Sequence, residues 1–310
     1  MSHAAPEPIR IWNRETAREE DEQVFGEGAV RWLYQTRLGQ SLADGALSRR
    51  LPSVVYGAYQ SSPLSRRKIA PFIQRFKIPM EEYEAGPFAT FNDFFIRQFR
   101  AGARPFVAAP ARLPAFAEAR YLAFDRIQAT QTFPVKGRYL TAEALLGGLE
   151  AAAPFVGGPL LLARLCPVDY HRFHFPDDGE LEKSWRIPGR LHSVNPLALQ
   201  YRGDIFAINE RNVSILKTAH FGRLAYIEVG ALCVGRIVES WRTIGSETHF
   251  ERGQEKGYFL FGASTVIVLG EPGRWRPDED LLERTARKRE TFVKLGTSVA
   301  RVTGSDPTHP

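Results

Sequence analysis

The chain has 310 residues, 44% hydrophobic and 12% aromatic, which excludes a disordered or fibrous protein and supports a large core in one elaborate domain or two smaller ones. Its net charge is +6, and its two cysteines, Cys166 and Cys233, lie in apolar contexts without CxxC spacing, so buried free thiols are expected rather than a disulfide or zinc site. The polar, acidic stretch through Glu15, Glu19, Glu20 and Asp21 argues against a secretory signal, and no window approaches the roughly 18 apolar residues of a spanning helix.

In chain order, the first 85 residues read as helical, divided by Pro52, Pro63, Pro71 and Pro79. From Arg37 to Lys77 there are eight basic residues and one acid, Asp44. Within that window Ile69, Phe72, Ile73 and Phe76 recur at i, i+3, i+4, i+7, as one face of a helix does. Such a segment can lie on an anionic bilayer, or pack on its own domain with a solvated basic face, and both readings stand. Nucleic acid ranks below them, because no recognised motif or aromatic platform accompanies the charge.

After Gly86-Pro87 a short helix is expected from Phe91 to Phe99, opened by Thr90 as N-cap. Strand-like runs follow at 121–124, 160–165, 224–229, 232–238 and 266–269, short and punctuated by Gly, Pro, Asp and Asn. The fold class expected is α+β, a helical N-terminal region (1–85) followed by a mainly antiparallel sheet in a second region (86–310).

Two stretches carry chemistry. At 166–179 the histidines His171 and His174 stand three apart among aromatic and charged residues. They offer two proton-handling groups near neutral pH, half of a metal site, or structural side chains; Pro167 and Pro176 argue against the long helix that metal binding by HxxH uses. At 262–265, Gly-Ala-Ser-Thr precedes the apolar run Val266 to Leu269. Taken alone this is a plain turn, yet a serine hydroxyl beside the preceding carbonyl can attack it when a base and an oxyanion stabiliser are present.

With these segments the chain resembles the phosphatidylserine decarboxylase family. Pro-Val-Asp-Tyr-His-Arg-Phe-His at 167–174 and the turn at 262–265 are similar to the family's histidine segment and its cleavage motif. In the same order, Phe-Asn-Asp-Phe-Phe-Ile-Arg at 91–97 with Gly-Ala-Arg-Pro at 102–105, Val-Lys-Gly-Arg-Tyr at 135–139, Asn-Glu-Arg-Asn-Val at 209–213 and Val-Gly-Ala-Leu-Cys-Val-Gly at 229–235 also match.

The resemblance implies a proenzyme whose Ser264 attacks the Ala263 carbonyl. The resulting ester eliminates, giving a β chain 1–263 and an α chain 264–310 that begins with a pyruvoyl group. This covalent cofactor forms a Schiff base with phosphatidylserine, and loss of carbon dioxide gives phosphatidylethanolamine. A charge relay of Glu118, His174 and Ser264 is implied for self-cleavage, and His171 for proton transfer in decarboxylation. No metal is implied. Two departures are visible: Ala-Phe-Ala-Glu-Ala-Arg at 115–120 stands where a Ser-Pro-Ala-Asp-Gly-like segment is usual, with Asp125 as an alternative acid, and Ala263 replaces the more usual glycine. A second serine motif, Leu-Gly-Thr-Ser at 295–298, lies in what resembles the family's C-terminal segment, so cleavage is not expected there.

A lipid substrate favours membrane contact for the basic window. The implied location is peripheral, on the cytoplasmic face of the cell membrane, with anionic lipid as partner, a homodimer as one open assembly, and no nucleic acid. Arg97, Arg104, Lys136 and Arg211 are candidates for phosphate or carboxylate recognition, or for structural ion pairs.

Overall fold

The computed structural model describes residues 8–22, 25–127, 131–132, 139–232, 236–243, 248–262 and 264–304. Among them the fold is α+β, with short helices around an extensive, mainly antiparallel sheet. The large sheet has ten strands in the order His249–Phe250, Gly179–Ile187, Arg211–Thr218, Arg223–Val229, Ser264–Gly270, Leu160–Leu165, Ala119–Phe124, Thr291–Val293, Arg10–Asn13, Arg18–Asp21. Its pairings are antiparallel except for Arg10–Asn13, which runs parallel to Thr291–Val293.

Ser264–Gly270 is a central strand buried along its whole length, clamped by Arg223–Val229 on one side and Leu160–Leu165 on the other. That explains its unbroken apolar run: a strand covered on both faces has no position for an alternating polar residue. Each buried Val, Ile or Leu here contributes about 1.5–3 kcal/mol, enough to retain the strand without a covalent link to residue 263. Close packing continues at its far end. A Cβ on Gly158 would meet the Gly270 carbonyl oxygen at 1.9 Å, a backbone atom that cannot swing away. Gly158→Ala is therefore expected to cost about 2–3 kcal/mol, measured as a lowered thermal midpoint.

The N-terminal region differs from the wholly helical expectation. It begins with the hairpin Arg10–Asn13 and Arg18–Asp21, whose outer strand is exposed throughout and lacks any apolar alternation. Its helices Glu27–Gln35, Arg50–Gln60 and Ile69–Phe76 follow. The face of Ile69, Phe72, Ile73 and Phe76 turns inward onto a second core of Phe91, Phe94, Phe95, Tyr170 and Phe261, so this helix packs on its own chain. Of the two uses open to that face in the sequence, packing on the chain's own core is the one seen, and membrane contact by it is not confirmed. The reason is tertiary: Phe25, Phe72, Phe91 and Phe261 meet ring to ring, removing more apolar area from water than an isolated helix face can.

The helix after Thr90 forms with the expected cap, Thr90 Oγ1 accepting from Asp93 N while the Asp93 carboxylate accepts from Thr90 N. It ends at Phe95 rather than Phe99, because Arg97 enters the core and Phe99 bridges Tyr83. Of the run at 232–238 only Ile237–Val238 is a described strand; Cys233 lies outside the described residues, and Cys166 is a buried free thiol.

Candidate active site

Ser264 opens its strand opposite Leu165 and is fully buried. Gly262, two residues earlier, has φ 144, a conformation that side chains resist, so the turn into the strand requires glycine at that point. Ala263 lies outside the described residues.

His171 is the hydrogen-bond partner of Ser264, with Nδ1 3.5 Å from Oγ. Its other nitrogen, Nε2, is 3.0 Å from the Cys166 carbonyl oxygen. A carbonyl only accepts, so Nε2 carries the hydrogen and Nδ1 presents a lone pair to the hydroxyl. The ring stacks on Phe95 at 3.9 Å between centroids. Burial, and then the positive charge of Arg97, push the His171 pKa down to about 3, which keeps the imidazole neutral.

His174 stands at the end of the short strand Arg172–His174. Its Nδ1 donates to the Gly253 carbonyl at 2.9 Å, and its Nε2 is buried with no partner. Burial lowers its pKa, opposed by the Gly253 hydrogen bond and by the negative charge of Glu255. Glu118 is buried and engaged by Arg104, whose Nε lies 2.6 Å from Oε2, and by the Leu295 backbone N–H at 3.3 Å. Among the described residues the hydrogen-bonded pair is thus Ser264–His171; Glu118 and His174 have other partners. Asp125 sits at the surface, its side chain 55% exposed and 3.3 Å from Arg276. No group of three or more His, Cys, Asp or Glu side chains among the described residues is arranged to hold a metal ion.

The cations proposed for head-group recognition prove to be structural where described. Arg97 is buried against the carbonyls of Val168 and Asp169, Arg104 bridges Glu82 and Glu118, and Arg211 donates to the carbonyls of Ala144, Leu145, Ala207 and Asn209. Lys136 lies outside the described residues. One contributor had no assigned role in the sequence reading. Asp169 accepts from the Cys166 N–H at 2.6 Å and pairs with Arg120, so it holds the turn whose carbonyl fixes the His171 tautomer. Backbone acceptors such as Cys166 and Gly253 leave no side-chain signature; Asp169, inside the 167–174 motif, left one.

Beside the turn lies an apolar cavity of about 220 Å³ lined by Phe25, Ala29, Leu33, Tyr56, Phe261 and Gly262. It lies between the N-terminal helices and the turn before Ser264.

The family model for phosphatidylserine decarboxylase matches residues 91–301, which include both histidines, Glu118 and Ser264. The chain belongs to the phosphatidylserine decarboxylase family. Relatives named phosphatidylserine decarboxylase proenzyme are similar over nearly their whole length. The one from Desulfitobacterium hafniense (strain Y51) is 38% identical over 293 residues, covering 94% of this chain and 97% of its own. Those from Clostridium novyi (36%, covering 94% and 98%) and Fusobacterium nucleatum (37%, covering 94% and 96%) are comparable. The family's similarity thus extends upstream of residue 91 into the N-terminal helices.

Proposed function

We propose that this chain is a proenzyme that cuts itself before Ser264 and decarboxylates phosphatidylserine to phosphatidylethanolamine. The observation that carries this reading is a fully buried serine at the head of a central strand, facing a neutral histidine, with an apolar cavity against the preceding Phe261 and Gly262. The residues fit a pyruvoyl group at position 264: the strand is paired on both sides, which would hold it after cleavage, and Ser264 is fully buried. When present, that group supplies the carbonyl that condenses with the substrate amine and accepts electrons as carbon dioxide leaves.

The chain's own groups divide the proton work. His171 sits between the charges of Arg97 and Arg120, both of which oppose an imidazolium, so it is a poor base for the hydroxyl. A proton that reaches its Nδ1 is for the same reason readily given up, which suits delivery to the substrate α-carbon that has lost carbon dioxide. His174 has an uncommitted Nε2 and the favourable charge of Glu255, and serves as the base for self-cleavage. Its ring is oriented by the Gly253 carbonyl. Glu118, the acid expected for the relay, is paired with Arg104 instead, and the carboxylate that acts on His174 is that of Glu255. Incubating the purified chain with phosphatidylserine and detecting phosphatidylethanolamine by mass spectrometry tests the activity; an intact chain that yields no product overturns it.

No helix among the described residues is long and apolar enough to cross a membrane. Instead Trp32, Leu38, Leu51, Val54, Val55 and Leu64 are exposed on the N-terminal helical region, near the exposed cations Arg37, Arg49, Arg50, Arg66 and Arg67. This surface is proposed to meet anionic lipid peripherally, on the cytoplasmic face, where a free thiol such as Cys166 stays reduced. Combined Leu51→Ser, Val55→Ser and Leu64→Ser is expected to weaken binding to phosphatidylserine vesicles by about tenfold or more, read by vesicle sedimentation. Unchanged sedimentation would remove this face from the interface.

A further inference from the structure

A buried ion network runs from the amino-terminal hairpin to the turn that carries His171. Arg120 and Arg164 oppose each other on neighbouring strands, where like charges repel. Glu22, directly after the strand Arg18–Asp21, bridges them. Its Oε1 is 2.7 Å from Arg120 Nε, an ion pair not aligned as a hydrogen bond, and its two oxygens accept from Arg164 at 3.0 and 2.9 Å. Its backbone N–H donates to the Ile9 carbonyl, so the hairpin itself fixes the carboxylate. Arg120 donates in turn to Asp169 Oδ2, which also accepts from the Cys166 N–H. The Cys166 carbonyl accepts from the Asp169 N–H at 2.9 Å and from His171 Nε2 at 3.0 Å, and His171 Nδ1 faces Ser264 Oγ. Each step from Glu22 to Ser264 is a direct contact.

Burying these ions costs more than packing apolar side chains of similar volume. What the ions add is geometry. Arg97 holds the same turn through the carbonyls of Val168 and Asp169, so the Cys166 carbonyl is kept toward His171 by donors and acceptors on both neighbouring segments. A neutral imidazole that lost this acceptor would be free to carry its hydrogen on Nδ1, and the lone pair would then turn away from residue 264. Glu22 lies outside residues 91–301, the part of the chain that the family model matches.

We propose that Glu22 and Asp169 are positioning residues of the Ser264 site: joined through Arg120, they tie the amino-terminal hairpin to the turn that keeps the His171 lone pair toward residue 264. The turnover readout of this proposal rests on the decarboxylase reading. Burial raises the Asp169 carboxyl to about 6 against the pull of Arg120 and the Cys166 N–H, and Glu22 raises it further. Burial would raise the Glu22 carboxyl too, but Arg164 and then Arg120 outweigh it and hold that group below its usual range. The other titratable or charged neighbours are the Cys166 thiol, which burial pushes up and keeps neutral, the neutral His171, and the cations Arg97 and Arg164. The holding form is the Asp169 anion, present above about pH 6 and lost below it.

The test compares processed wild type, Asp169→Asn, Asp169→Ala and Glu22→Gln, with kcat and KM for phosphatidylserine in mixed micelles measured against pH. The wild-type kcat is expected to fall about tenfold per pH unit below the Asp169 transition. Asp169→Asn, which can still accept from the Cys166 N–H, is expected to lose that limb and keep most of the neutral-pH turnover. Asp169→Ala is expected to lower kcat about tenfold to a hundredfold with KM nearly unchanged. Glu22→Gln removes a charge that raises the Asp169 carboxyl, so its limb is expected at lower pH. Nitrogen-15 NMR of histidine-labelled, uncut Ser264→Ala chain gives a readout independent of turnover: His171 with its hydrogen on Nε2, and a mixture of tautomers when Asp169→Ala is added. An acid limb that survives in Asp169→Asn, or an unchanged tautomer in Asp169→Ala, overturns the role of Asp169. A limb unmoved in Glu22→Gln overturns that of Glu22. Both Asp169→Asn and Glu22→Gln preserve side-chain shape, so these readings stand even where the alanine variant does not fold. No product from wild type overturns the decarboxylase reading, while the tautomer measurement still decides the positioning.

Discussion

Ser264→Ala is expected to leave one uncut chain of 34.9 kDa with no decarboxylase activity, where the wild type gives two fragments. The substitution removes the attacking oxygen and little else. Ser264 Oγ has His171 Nδ1 as its hydrogen-bond partner, and the neighbours that hold the strand bond to its backbone. Loss of that single contact leaves a buried lone pair unpartnered at a cost of about 1–3 kcal/mol, which a core of this size tolerates. A folded, uncut, inactive variant therefore reports chemistry rather than collapse. Intact-mass spectrometry reads both species, and the wild-type α chain is expected to have a blocked N-terminus. Cleavage before residue 264 in the alanine variant would refute serine as the nucleophile.

His171→Ala is expected to lower turnover by about 10² to 10⁴ while self-cleavage persists, and His174→Ala to stop self-cleavage. The asymmetry follows from the surroundings of the two rings. His171 is held by the Cys166 carbonyl and stacked on Phe95, with its lone pair toward Ser264 Oγ. Burial and the Arg97 charge take its pKa down to about 3, so no imidazolium population accumulates there across the neutral range and its activity should not titrate near pH 6.5. Burial lowers the His174 pKa as well, but its Nε2 is free, and the Gly253 hydrogen bond and Glu255 oppose that shift. Gel analysis of both variants during expression, followed by assay of whatever is processed, separates the roles. An uncut His171→Ala chain would transfer the base to the residue in contact with Ser264.

Much of this site is legible along the chain because it depends on residue types at short spacing. The histidine pair, the serine before an apolar run and the Thr90 cap all appear in the structure where the local pattern puts them. The N-terminal helices are legible from periodicity, but which way their apolar faces point is not. The face at Ile69, Phe72, Ile73 and Phe76 has the pattern of a lipid-binding stripe and is used for the core. Exposed apolar residues lie instead at Trp32 to Leu64, on helices whose spacing is less regular. Periodicity reports that a face needs burial, and cannot report the partner.

Family membership, a serine ahead of an apolar run, and an antiparallel core follow from the order of residues alone, since each is a local pattern repeated in the right sequence. The tertiary structure decided which nitrogen meets the hydroxyl, where Glu118 spends its charge, and that Glu228, on the sheet face of Ser264, meets Lys256 from a separate sheet. These depend on strands 28 to 93 residues apart in the chain being brought within hydrogen-bond distance, and on backbone carbonyls that no side chain announces. A carboxylate reads the same in sequence whether it orients a base or neutralises an arginine; only packing sets its partner and hence its charge.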